Sequence, residues 1–176
     1  GMAAVGAEEN VTMLTDGKRI LAKKGGSSIV ARLTEGKFPR YQAVIPKDND
    51  RVAELDRAQF IAAIDRAAIA ANVATSQLKL SFDGVNALIV ESRDIDYSTS
   101  AKVRCNTERQ TNLAVGAGTF NVGVRGTFLL DVLKSAFRGR SKVIVKMSDP
   151  TKAILVKESE DTERTALIMP MQLTDF

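Results

Sequence analysis

EGKFPRYQAVIP, from Glu35 to Pro46, sits between two stretches that both read as β-rich folding units. Gly36 and Pro39 interrupt regular structure, and Pro46 ends any strand that contains Val44 and Ile45. Phe38, Tyr41, Val44 and Ile45 are apolar or aromatic, so the segment has side chains to bury, unlike a solvated Gly/Ser linker. Composition alone leaves two readings open, a connector between domains or part of a site.

Outward from this segment the chain repeats itself. Val11–Leu14 reads as a strand, Thr15-Asp16-Gly17-Lys18 as a hairpin turn, and Arg19–Ala22 as the returning strand. After a turn at Gly25-Gly26, Ser28–Leu33 forms a third strand. The same order recurs at Leu78–Phe82, Asp83-Gly84 and Ala87–Ser92, and again at Val143–Ser148, Asp149-Pro150 and Ala153–Ser159. The turn aspartates lie 67 and 66 residues apart, which marks an internal repeat. Two copies have an amphipathic helix before the hairpin. Asp56 is placed to cap the first, whose apolar side is Phe60, Ile61, Ile64, Ala68 and Ile69. Thr127 is placed to cap the second, which carries Phe128, Leu129, Leu130, Val132, Leu133 and Phe137. The first copy has no helix, so the expectation is that the chain starts inside a repeat unit. Its three strands are then a truncated piece, or another chain covers their apolar face.

Four segments in order, the connector among them, carry a resemblance. Leu33 followed by Glu35-Gly-Lys-Phe-Pro-Arg-Tyr41 and Val44-Ile-Pro46 resembles the segment joining the second and third domains of the bacterial DNA polymerase III beta subunit, the sliding-clamp family. Arg66-Ala-Ala-Ile69 and Leu130-Asp-Val-Leu133 resemble its third-domain helices, and Met169-Pro-Met-Gln-Leu173 resembles its C-terminal Met-Pro-Met-Arg-Leu. The resemblance implies an α+β clamp fold of repeated β-α-β-β-β halves. Residues 1–46 are then the last half of a second domain, and residues 47–176 a complete third domain. It further implies a processivity factor that encircles duplex DNA as a head-to-tail homo-oligomer and tethers the replicative polymerase and clamp-loader peptides. The alternative is a clamp-like interaction or regulatory module that binds partner peptides without encircling DNA.

Composition is compatible with both readings. Among 176 residues, 44% are hydrophobic and 26% charged, as in a globular protein. No run approaches the roughly 18 apolar residues of a membrane span, and Met2-Ala-Ala-Val leads straight to Gly6, Glu8 and Glu9, unlike a signal peptide. Gly1 reads as a remnant of tag removal. One cysteine, Cys105, fits a reducing cytoplasm, and the net charge of +4 permits but does not require a nucleic-acid surface.

Catalytic chemistry finds little support. There is no histidine, which removes the commonest general base and metal ligand, and the lone cysteine cannot build a Cys-rich zinc site. Asp94 and Asp96, two apart, share a face if they lie in a strand and suggest a metal site, an acid pair or a solvated acidic edge. Gly116-Ala-Gly118 lacks the third glycine of a dinucleotide loop, and Lys23-Lys-Gly-Gly-Ser-Ser28 lacks the order of a phosphate loop, so both read as turns. The expectation is no enzyme, no metal and no cofactor.

The resemblance assigns three surfaces. Arg57, Arg66, Lys134, Arg138 and Arg140 are expected to face DNA from the helix layer, neutralising phosphates without reading bases. The absence of Trp and an aromatic content of 5% argue against a base-stacking platform. Ile69, Ala70, Asp94 and Asp96 are expected at the ring contact, although the chain by itself is expected not to close a ring. Partner peptides, of Gln-x-x-Leu-Phe type, are expected in an apolar cleft drawing on Pro39, Val44, Thr75, Arg125, Phe128, Ala153, Leu167, Ile168, Met169, Pro170, Met171 and Leu173. Methionines give that cleft adaptable walls, and Pro170 belongs at a sheet edge. Ala43, Thr75 and Gln172 replace the Arg, aromatic and Arg common in relatives, which implies a shallower cleft with a less polar rim. Thr174-Asp-Phe176 extends past the usual end and is expected over its mouth. With the first half of the second domain missing, affinity is expected to be reduced.

Overall fold

A computed structural model describes residues 10–37, 40–113, 119–159, 164–174 and 176. The chain divides into two compact units, residues 1–40 and 41–176. The glycine pair of the expected turn at 116–118 lies outside the described residues.

The first unit is an antiparallel sheet of β1 (Thr12–Thr15), β2 (Arg19–Lys24) and β3 (Ser27–Arg32). Its first turn works as the sequence suggests. The Asp16 carboxylate accepts from the backbone N–H groups of Lys18 (2.9 Å) and Arg19 (2.6 Å), and Gly17 takes φ +81°. Met13, Leu14, Ile29 and Val30 are exposed.

The second unit holds two matched halves. The first is β4 (Arg51–Asp56), α1 (Arg57–Ala68), β5 (Gln77–Phe82), β6 (Ala87–Asp94) and β7 (Thr99–Asn106). A short β8 (Arg109–Thr111) follows. The second half is β9 (Phe120–Arg125), α2 (Gly126–Asp131), β10 (Lys142–Met147), β11 (Ile154–Lys157) and β12 (Thr165–Ile168). Each half lends its first strand to the other half's sheet, giving the antiparallel orders β12-β11-β10-β4-β8 and β7-β6-β5-β9. This exchange interlocks the halves into one α+β domain.

Phe60, Ala63, Ile64 and Ala67 of α1 join Leu129, Leu133 and Phe137 in one core with Leu80, Phe82 and Val90 of one sheet and Val143, Val145 and Val156 of the other. Each large side chain buried there contributes about 1.5–3 kcal/mol. Asp56 caps α1, accepting from Gln59 N–H at 2.7 Å. Ile69, read as part of the buried side of α1, instead follows its last turn and is 85% exposed. The second helix also differs from expectation. It starts at Gly126 with Arg125 at the cap position and no side-chain cap bond, so Thr127 does not cap it. It continues as a π-helical turn through Val132–Ala136. Gly126 sits tightly there, since a Cβ would stand 2.7 Å from Leu78 Cδ1 and would make the buried Leu78 side chain shift.

The β5–β6 turn is braced from outside. Asp83 Oδ1 accepts from the N–H groups of Val85, Asn86 and Ala87, and the Gln110 side chain bonds Gly84 N–H and the Ala87 carbonyl. Burial pushes the Asp83 carboxyl up, but these backbone donors hold it below the ordinary aspartate value. Tyr41–Ala43 forms a single 3₁₀ turn, not the start of a strand through Val44 and Ile45. Among the described residues no helix is long and apolar enough to cross a membrane.

Candidate functional site

The C-terminal segment changes sheets. β12 pairs with β11 up to Ile168, and Pro170, lacking an N–H, ends that pairing. Met171 then bridges to Gly123 of β9, donating its N–H to the Gly123 carbonyl at 2.8 Å. Glycine is needed at 123, because a Cβ would stand 2.3 Å from the Met171 carbonyl oxygen. Gln77 Nε2 holds the Gln172 carbonyl at 2.7 Å. The chain from 169 to 171 is thereby stretched between the sheets as one wall of a hollow.

This hollow, about 690 Å³, is mostly apolar and is lined by Phe128, Val132 and residues 167–171, with Arg125 and Asp131 as its charged members. Phe128 and Met169 are 58% and 61% exposed, high for large apolar side chains in a domain with a well-filled core. Arg125 is fixed by a bond from Nη2 to the Ala74 carbonyl (3.2 Å), and its guanidinium lies over the Phe128 ring at 5.1 Å. Its Nε–H is buried without an acceptor.

A second hollow, about 440 Å³, has Leu167 in common with the first. Val44 and Tyr41 form one side. Lys146, Leu155 and Leu167 follow one another across β10, β11 and β12 in direct register, with Lys157 and Thr165 in a neighbouring row.

Of the expected cleft residues, Arg125, Phe128, Leu167, Ile168, Met169, Pro170 and Met171 come together around the first hollow, and Val44 joins Leu167 in the second. Leu173 packs on Gly123, and Thr75 lies in the turn that receives Arg125. Ala153 is buried and lines neither hollow; its carbonyl accepts from Asn49 Nδ2 at 3.1 Å. Pro39 lies outside the described residues. Phe176 rests against Lys79, 5.2 Å from its Nζ, and lines neither hollow. Asp131, Val132 and the lysine-bearing row of β10 and β11 were not among the expected residues. Asp131 and Val132 follow Phe128 along the second helix, at the three- and four-residue spacing of one helix face, whereas Lys146 and Lys157 come beside Leu167 only through cross-strand register, which no linear motif carries.

The basic helix residues are widely engaged. Arg57 donates to the Arg140 and Leu133 carbonyls (2.7 and 3.0 Å), Lys134 pairs with Asp65 (3.0 Å), and Arg140 pairs with Glu158 (2.7 Å). Arg66 and Arg138 are exposed. At the end of α1, Ile69 and Val73 are exposed beside the β6–β7 turn, which carries exposed Ile95 and Tyr97; Thr99 Oγ1 reaches the Ala70 carbonyl at 3.5 Å. Asp94 is buried and accepts from the N–H groups of Asp96 and Tyr97, so it forms the turn. The two aspartates therefore do not make an acid pair. Among the described residues no group of three His, Cys, Asp or Glu is placed to hold a metal. Burial raises the Cys105 thiol above its ordinary value, which disfavours a reactive thiolate.

A model of the DNA polymerase III beta subunit, C-terminal domain, matches residues 42–172. The beta sliding clamp of Pseudomonas aeruginosa is 27% identical over 154 residues, covering 88% of this chain and 39% of that protein. That of Helicobacter pylori J99 is 25% identical over 172 residues, covering 94% and 43%. A crystal structure of the P. aeruginosa clamp bound to griselimycin superposes with a TM-score of 0.80 at 27% identity, over 93% of this chain and 42% of that one. The Bacillus subtilis clamp, at 19% identity and TM-score 0.79, shows the same fold. The chain spans about two fifths of the length of these relatives. With that domain matched over most of its length, and the fold shared with solved clamps, the chain belongs to the DNA polymerase III beta subunit family.

Proposed function

We propose that the chain acts as part of a cytoplasmic DNA polymerase processivity factor, whose intact ring encircles duplex DNA and whose apolar hollow tethers the polymerase and clamp-loader peptides. The observation that carries this reading is the exposure of Phe128 and Met169 over a hollow whose wall is pinned by the Gly123–Met171 bridge. Apolar side chains held open by backbone bonds suit an extended peptide with large apolar anchors. The role is binding without turnover. The exposed Ile69, Val73, Ile95 and Tyr97 supply the apolar patch that a head-to-tail contact needs, and Arg66 and Arg138 supply charge for the DNA-facing layer.

A second reading, peptide binding without encircling DNA, is favoured by the internal engagement of Arg57, Lys134 and Arg140. Titration of a fluorescent Gln-x-x-Leu-Phe peptide tests the shared element. Saturable binding weakened about tenfold or more by Phe128→Ala and by Met171→Ala is expected. Affinity unchanged by both substitutions contradicts the assignment. Salt-dependent duplex binding that weakens on Arg66→Ala and Arg138→Ala separates the first reading from the second.

A further inference from the structure

The wall of the first hollow is held by a residue that does not line it. Gln77 opens β5 and stands directly opposite Arg125 of β9. Lys79, next along the same face, stands opposite Gly123, which bridges to Met171. One sheet face therefore carries both Arg125, which meets Phe128, and Gly123, which meets the segment after β12. Gln77 is 9% exposed, and its Nε2 donates to the Gln172 carbonyl at 2.7 Å across 95 residues of chain. Lys79 is committed elsewhere: it pairs with Glu91, which also takes Lys102 at 2.6 Å, and the Phe176 ring lies 5.2 Å from its Nζ. Two consecutive backbone groups are thus tied to this face, Met171 N–H by the Gly123 carbonyl at 2.8 Å and Gln172 C=O by Gln77. An amide donates from a buried position without the desolvation cost of a buried charge. Because the bond is to backbone, it holds whichever side chain stands at 172.

We infer that Gln77 is a positioning residue of the peptide cleft: by holding the backbone at 172 it fixes where Met169–Met171 stand, and so sets affinity for a partner peptide without touching it. The inference rests on the cleft reading above. A backbone held at one point swings about it, whereas two consecutive anchors also fix its direction. Without the Gln77 bond the segment keeps a single bridge and exchanges between docked and undocked arrangements. A peptide that needs the docked arrangement then binds more weakly, in proportion to the fraction of chains that hold it.

The test replaces Gln77 by methionine, which keeps an unbranched side chain of similar length and removes the donor. A neutral labelled Gln-x-x-Leu-Phe peptide is titrated against the full chain, Gln77→Met, Gly123→Ala and the double variant, and amide hydrogen exchange is followed without peptide. Gln77→Met is expected to weaken binding about fivefold, the worth of one lost hydrogen bond. The Met171 amide is expected to exchange about fivefold faster, with the core amides of Leu80 and Val145 unchanged. Gly123 and Gln77 hold the same stretch of backbone, so in the Gly123→Ala background the Gln77 substitution is expected to cost less than about twofold. Unchanged affinity on Gln77→Met, with binding still lost on Phe128→Ala, overturns the inference and leaves the cleft standing. So does a full fivefold loss in both backgrounds, which puts the effect of Gln77 outside the wall. Exchange at Leu80 and Val145 that quickens as much as at Met171 marks a general loss of stability and also overturns it. Peptide bound by none of the chains overturns both readings.

Discussion

Gly123→Ala puts one methyl group against the bridge that positions the cleft wall. An ideal Cβ there stands 2.3 Å from the Met171 carbonyl oxygen and 3.0 Å from Leu173 Cδ2. Backbone at 171 must retreat by roughly 1.1 Å or more to reach ordinary contact. That retreat strains the 2.8 Å bond from Met171 N–H to the Gly123 carbonyl, whose loss costs about 1 kcal/mol. Overpacking adds about 1–3 kcal/mol. A total near 2–4 kcal/mol lowers the melting temperature by about 5–12 °C for a unit of this size. If the tail undocks locally, the melting loss is smaller but Met169–Met171 leave the hollow, so peptide affinity still falls by about tenfold or more. Circular-dichroism melts and peptide titration read both effects. Gly26→Ala is the control, because a Cβ there meets nothing within 4 Å. A Gly123→Ala chain with unchanged melting and unchanged peptide affinity refutes the reasoning.

Other perturbations have equally definite outcomes. Asp83 is held below its ordinary value when folded, so its contribution is present above the ordinary aspartate range and is lost as pH falls through the lower folded value. Asp83→Asn is expected to flatten stability against pH below about 4 and to cost about 1–2 kcal/mol at neutral pH, read by denaturant titration across pH. Asp56→Ala removes the cap on α1 and is expected to cost about 1 kcal/mol by the same assay. Arg57→Ala breaks two bonds to backbone carbonyls and is expected to cost about 1–3 kcal/mol, whereas Arg138→Ala, on an exposed position, is expected to stay within about 0.5 kcal/mol.

The hairpins were legible because an aspartate at a turn start and a following glycine are local chemistry. Asp16 and Asp83 bond backbone N–H groups two to four residues on, with Gly17 and Gly84 at positive φ. The start of α1 was legible for the same reason, since Asp56 and Gln59 are three residues apart. Tertiary contacts decided what sequence did not. The second helix begins beside Arg125, whose Nη2 is tied to the distant Ala74 carbonyl, and Val44-Ile45, read as strand, instead follow the 3₁₀ turn Tyr41–Ala43 as turn and bend. The cleft was partly legible. Its apolar anchors are contiguous in Leu167–Met171, but Lys146 and Lys157 come near Leu167 only through the pairing of β10, β11 and β12, and Gly123 shows its role only opposite Met171.

The central claim is that the hollow between α2 and the segment after β12 is where a partner peptide binds. Amide chemical-shift mapping during titration of the neutral Gln-x-x-Leu-Phe peptide tests it most directly. The account predicts perturbations concentrated at residues 125–132 and 167–171, with little change at 69–73 and 95–97. Perturbations centred on 69–73, or saturable binding with none at 125–132 and 167–171, would contradict it.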